Sequence, residues 1–185
     1  MKRILSTVLL VCVLATCLFA FASCGGHPMD EIKEDIKNGN YTMTTTASVM
    51  GVQMTVTVLV DGDKVCAEVM GAKSYVEKDG DKAYMYTPNL AGGYEKTEIP
   101  ADEADEQTGA FSDEVLDKLF NKDNYTEDEN GNYVINDGVD VEGFDGVTMS
   151  FKDGKCTIKA GVEGADTTIT FSEMGSTTVT LPEVE

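Results

Sequence analysis

Tyr41-Thr42-Met43-Thr44-Thr45-Thr46-Ala47-Ser48-Val49-Met50-Gly51-Val52-Gln53-Met54-Thr55-Val56-Thr57-Val58-Leu59-Val60 sets the period of this chain. Tyr41, Met43, Thr45, Ala47 and Val49 share one side of an extended segment. Val52, Met54, Val56, Val58 and Val60 share one side of the next, opposite Gln53, Thr55 and Thr57. A repeat of two is that of a strand with one face buried, and Gly51 marks the hairpin between the two runs. Working outward, Asp61-Gly62 turns the chain into a strand at 64–70, Gly71 into 73–77, and Asp79-Gly80 into 82–87. Glycine-containing dipeptides between alternating runs are the strongest short-range hairpin signal. A loop at 89–93 leads to a strand at 94–99, which Pro100 ends. Further strands are expected at 133–136, 147–152, 155–160, 167–172 and 177–181, separated by Asp137-Gly138, Asp145-Gly146, Asp153-Gly154, Gly164 and Gly175.

Two segments have helical spacing instead. Met29, Ile32 and Ile36 recur on one face of residues 29–38, with Asp30 and Glu31 at the positive end, Lys37 at the negative end and Gly39 to close it. Ser112 caps a second helix reaching about residue 121, whose apolar stripe is Val115, Leu116, Leu119 and Phe120. Each is too short to be stable alone and must cover a sheet. Residues 101–106 are acidic and are expected as a loop or frayed turn. The fold class is therefore mainly β within α+β: a strongly curved antiparallel sheet of ten or eleven strands, an unclosed half-barrel, with two short helices packed on it. Curling is expected because a flat sheet of that many strands is unusual.

The chain opens with basic Lys2 and Arg3, an apolar run over 8–21, and small Ala22 and Ser23, the layout of a secretory signal. Phe21-Ala22-Ser23-Cys24 resembles the lipobox of bacterial lipoproteins, with Phe21 where Leu is usual. The resemblance implies cleavage between Ser23 and Cys24 and a diacylglyceryl group on the Cys24 thiol. It places the protein on the extracytoplasmic face of the cell membrane, held by palmitate-like chains. Two acyl chains give stable attachment where one is marginal. Cys17, after Leu14-Ala15-Thr16, is a competing site, and residues 4–23 are long enough to span a bilayer if left uncut. The organisation expected is a signal peptide at 1–23, the lipidated cysteine and a short tether at 24–28, and a single domain at 29–185.

Removing the leader takes away two cations and no acids. The remaining 162 residues (185 less 23) carry 12 lysines against 33 acids, a charge of −21 where the whole chain has −19. Such a body does not bind nucleic acid through phosphates, which requires Lys and Arg, and anionic head groups repel it.

The order of elements resembles the LolA carrier fold and the LppX/LprG lipoproteins. The features that carry the likeness are a short helix before a long first hairpin, Asp-Gly-joined strands including Lys82-Ala83-Tyr84-Met85-Tyr86, and the helix at 113–120. The ending Thr168-Ile169-Thr170-Phe171-Ser172-Glu173-Met174-Gly175 and Val179-Thr180-Leu181-Pro182-Glu183 is similar to that of small Firmicutes lipoproteins, with Met174 replacing an aromatic. That likeness implies an open barrel whose concave face holds acyl chains. The arginine some carriers use has no counterpart, because Arg3 is the last arginine of the chain.

Eight methionines follow the leader, and flexible methionine suits irregular apolar cavities. Tyr41, Met43, Met54, Val56, Tyr84 and Phe151 are the candidate lining of a hydrophobic-ligand site, against the alternative that they are ordinary core. Cys66 and Cys156 each follow an Asp-Gly-Lys or Gly-Asp-Lys turn. Export permits a disulfide between them, and two buried thiols are the alternative. No enzyme is expected: His27, the one histidine, lies in the tether, so a histidine-based triad and His/Cys zinc ligation both fail. The acidic stretch 123–131 lacks the starting Asp and twelfth-position Glu of a calcium loop, and no cofactor or metal is implied. Three functions remain: an anchored lipoprotein binding an acyl chain or other apolar ligand, a structural or sensory envelope lipoprotein contacting a protein partner, and a hydrolase whose nucleophile cannot be identified.

Overall fold

The computed structural model describes residues 26–49, 51–101, 103–104 and 111–184. Signal peptide, Ser23 and Cys24 lie outside the described residues. Eleven strands form one antiparallel sheet: β1 (Asn40–Val49), β2 (Val52–Asp61), β3 (Lys64–Val69), β4 (Ala72–Asp79), β5 (Lys82–Pro88), β6 (Tyr94–Ile99), β7 (Tyr125–Glu127), β8 (Tyr133–Ile135), β9 (Asp145–Lys152), β10 (Lys155–Val162) and β11 (Ala165–Ser172). Their spatial order is β6-β5-β4-β3-β2-β1-β11-β10-β9-β8-β7. The chain steps outward from β1 to β6 by successive hairpins, crosses over, and steps back inward from β7 to β11, which pairs with β1. The sheet does not close, so it is the expected half-barrel.

Two helices cover one face. Helix α1 (Pro28–Asn38) starts at His27, whose Nδ1 accepts the Met29 N–H at 3.3 Å, and stops at Gly39, where φ is 68°. Its buried stripe is the expected Met29, Ile32 and Ile36. Helix α2 (Asp113–Leu119) is capped by the Ser112 hydroxyl, which accepts from the Val115 N–H, and it buries Leu116 and Leu119 with Phe120 just beyond. Lys33 and Lys37 of α1 pair with Asp117 at 2.9 and 3.1 Å, and Lys37 also with Asp113 at 3.3 Å, locking the helices side by side. The Phe171 ring is central beneath them, with Tyr41, Phe111 and Phe120 rings at 5.8–6.3 Å.

Three expectations are corrected. The alternating stretch 177–181 forms no strand. Strand β11 already lies between β1 and β10, so the tail cannot pair with the strand it leaves, and the open edges at β6 and β7 are several strands away. It runs instead over the helix-free face. Asn40 Oδ1 accepts the Thr177 N–H, Asp61 Oδ2 accepts the Val179 N–H, and only Val184 bridges to Tyr94 on the edge strand β6. Strand β7 was not foreseen, being three residues long and without alternation to read. Within the acidic loop, Ala101, Glu103 and Ala104 are helical, and Ala104 is fully buried because its methyl reaches the core.

The cysteines are both buried free thiols. Pairing explains why no bridge forms. Cys66 is level with Leu59, and through it with Thr42 and Ser172, on the helix-free face, whereas Cys156 is level with Phe171 and Met43 on the helix-bearing face. A sheet and three intervening strands separate them.

Candidate functional site

The six candidate lining residues do not converge. Tyr41 and Met43 lie on the helix-bearing face but are only 6% and 8% exposed, sealed into the core beneath α1 and α2. Val56 and Met54 continue that face toward the opposite end of the sheet, level with Thr45 and Ala47. Val56 is half-buried and Met54 is 46% exposed. Phe151 lies far across the sheet, stacked edge-on against Tyr133 at 5.7 Å. Tyr84 is on the other face. Register places Met85 beside core Val76, so Tyr84 points away, and Lys96 Nζ sits 4.0 Å over its ring.

An apolar strip does remain open. Ala47, Met54, Val56, Val69 and Ala72 share the helix-bearing face beyond the reach of the helices, with Val52 63% exposed at its end. Size explains the gap. Strands β1 and β2 have ten residues each, about 33 Å, and the helices pack over the end that carries Tyr41, Met43, Val58 and Val60, which leaves the other end uncovered. Met70 completes the strip. It is 91% exposed and has φ of 53°, followed by Gly71 at 84°. Two consecutive positive φ values favour Asn-Gly or Asp-Gly. The corresponding hairpins place Asp153 before Gly154 and Glu163 before Gly164, so only here does a large apolar residue occupy this exposed, disfavoured position among these three turns. That mismatch was visible in the sequence and was missed.

A second hollow of about 520 Å³ lies at the other end, between α1 and the β9–β10 hairpin. Pro28, Glu31, Ile32, Asp35, Phe151 and Met174 line it, with residues 152–155 and Glu173. Phe151 belongs here rather than with Met54.

The helix-free face carries its own polar cluster. The Tyr86 hydroxyl donates to Glu77 Oε2 at 2.7 Å, and Lys96 approaches the same oxygen at 3.5 Å. The hydroxyl bond first, then the lysine, holds the Glu77 carboxyl below its ordinary range. Burial pushes the Tyr75 hydroxyl up to about 12, with Cys66 the next contribution. Burial also raises the Cys66 thiol and pushes Cys156 up to about 12. Both thiols therefore stay protonated and weakly nucleophilic. The single imidazole caps α1 and packs on Tyr133 at 5.3 Å. Asp128 in the acidic loop accepts from Asn130 and Asn132 at 2.8–2.9 Å. Among the described residues no three His, Cys, Asp or Glu side chains are grouped as metal ligands, and no helix is long and apolar enough to cross a membrane.

No protein-family model matches this chain, and no curated protein matches its sequence.

Proposed function

We propose that this chain is a lipid-anchored, non-catalytic binding module of the cell envelope, held at Cys24 and carrying an apolar ligand such as an acyl chain on the open strip. One observation carries this: Ala47, Val52, Met54, Val56, Val69 and Ala72 form an uncharged surface on a chain with 47 charged side chains. Exposed contiguous apolar surface on a monomer marks a site of contact, and methionine adapts to varied ligands. The kinship to LolA-like carriers is part of the same proposal and rests on element order.

The described core lies between Met29 and Val179, so a chain starting at residue 26 retains it. The test is uptake of a fluorescent polyene fatty acid by that domain, with native mass spectrometry for co-purified lipid. Saturable uptake is expected, and Met54→Asp with Val69→Asp should weaken it about tenfold with circular dichroism unchanged. No uptake and no bound lipid would overturn the acyl-chain assignment. For the anchor, palmitate labelling should be lost in Cys24→Ala; equal labelling of variant and parent would refute attachment at that residue.

A second function is favoured by the packing. Met29, Leu119 and Phe120 are fully buried between the helices and the sheet, and the strip left over is open rather than enclosed. Such a surface also suits a protein partner. A photo-reactive methionine at position 70 that crosslinks an envelope protein, with no lipid bound, would select this alternative.

A further inference from the structure

The hollow at the base of the sheet is independent of the open strip and combines volume, an apolar floor and unpaired charge. About 520 Å³ lies within the range of small-molecule sites. Helix α1 supplies one wall with Pro28, Glu31, Ile32 and Asp35, spaced to share a helix face. Ile32, Phe151 and Met174 all border the main core and form the apolar floor.

Charge around it is sorted. The two lysines of α1, Lys33 and Lys37, are engaged on the flank that meets α2. Glu31 and Asp35 have no ion pair among the described residues and face the hollow, whereas Glu173 borders it with its carboxylate drawn to the helix-free side, where Oε2 accepts from Thr42 at 2.8 Å. The lining lysines do not neutralise them. Phe151 and Cys156 face the helices, so alternation starts the side chains of the bordering Lys152 and Lys155 toward the opposite face, and neither forms an ion pair with Glu31 or Asp35 among the described residues. Burial first, then Glu34, holds the Asp35 carboxyl above its ordinary range, the state of a carboxylate lacking a cation.

We propose that this hollow binds an amphipathic cation, a small molecule bearing one ammonium group on an apolar body. The body displaces water from Ile32, Phe151 and Met174, and the ammonium sits beside Glu31 and Asp35 on α1. An anion with the same body meets uncompensated carboxylates and is rejected.

The test uses the full-length chain in zwitterionic lipid nanodiscs, with empty discs as blank. The probes are dansylcadaverine and its matched anion, dansyl-6-aminohexanoate. Saturable one-to-one binding of the cation is expected, with the anion at least about tenfold weaker. Glu31→Gln with Asp35→Asn should weaken the cation about tenfold, while the remote pair Glu163→Gln with Asp166→Asn leaves it unchanged. With methyl-labelled methionine, the Met174 resonance, assigned through Met174→Leu, should move on addition of the cation and that of Met70 should not. Absence of saturable binding, equal loss in the remote pair, or an unmoved Met174 methyl would each overturn the proposal.

Discussion

At the scale of single residues, Met70 is where local preference and exposure conflict most. A non-glycine side chain in the left-handed region crowds its own carbonyl, and Met70 gains no burial in return. Met70→Asn fits the turn better and should raise stability by about 0.5–1 kcal/mol, read as a higher urea midpoint at unchanged slope. The same variant should weaken whatever the open strip holds. An unchanged or lower midpoint would mean the methionine makes a contact that offsets its strain. Tyr84 teaches the converse lesson. In Ala83-Tyr84-Met85-Tyr86 both faces of the strand are apolar, so alternation could not say which side turns inward. Pairing of Met85 with Val76 decides it. Glycine-marked hairpins were legible because a positive φ is nearly free only for glycine.

At the scale of elements, the C-terminal tail and the strands beneath it behave as a second, smaller packing layer. Cys66, Tyr86 and Val179 are buried outside the main core cluster. The tail runs from Thr177 beside Asn40 and Thr42 on β1 to Val184 beside Tyr94 on β6, and so passes over β3 to β5. Cys66 should therefore resist a water-soluble disulfide reagent in the intact protein. Val179→Asp should loosen the tail and speed modification of Cys66 at least about tenfold, with Cys156 still protected under the helices. Equal rates in variant and parent would show that the tail does not guard the thiol.

The Glu77–Tyr86–Lys96 contacts on the same face give an acid dependence. The folded carboxyl of Glu77 is depressed below its ordinary 4.5. Its contribution is therefore complete above that value and is lost as pH falls toward the folded one. Glu77→Gln should destabilise at neutral pH and flatten the loss of stability between about pH 5 and 3, measured as urea midpoints. Parallel acid limbs for the two proteins would contradict this.

At the scale of the whole molecule, 14 cations against 33 acids dominate. Self-repulsion destabilises the compact state and salt screens it. Raising salt from about 10 mM to about 500 mM, which cuts the screening length from about 30 Å to a few ångströms, should raise the melting temperature. A flat response would show that the seven described ion pairs already offset the acids.

Sequence by itself determined ten of the eleven strands, most hairpins, both helices with their buried stripes, the Ser112 cap and the Gly39 stop, and the half-barrel class. Each of these follows from local dihedral preference or from the period of apolar residues, which any few adjacent positions carry. Tertiary structure alone decided that 177–181 lies across a face instead of joining the sheet, that Cys66 and Cys156 sit on opposite faces, and that Tyr41 and Met43 are sealed while Met54 is open. Those outcomes depend on which strands already flank β11 and on how far two short helices reach along ten-residue strands, and neither quantity is written in any single stretch of the chain.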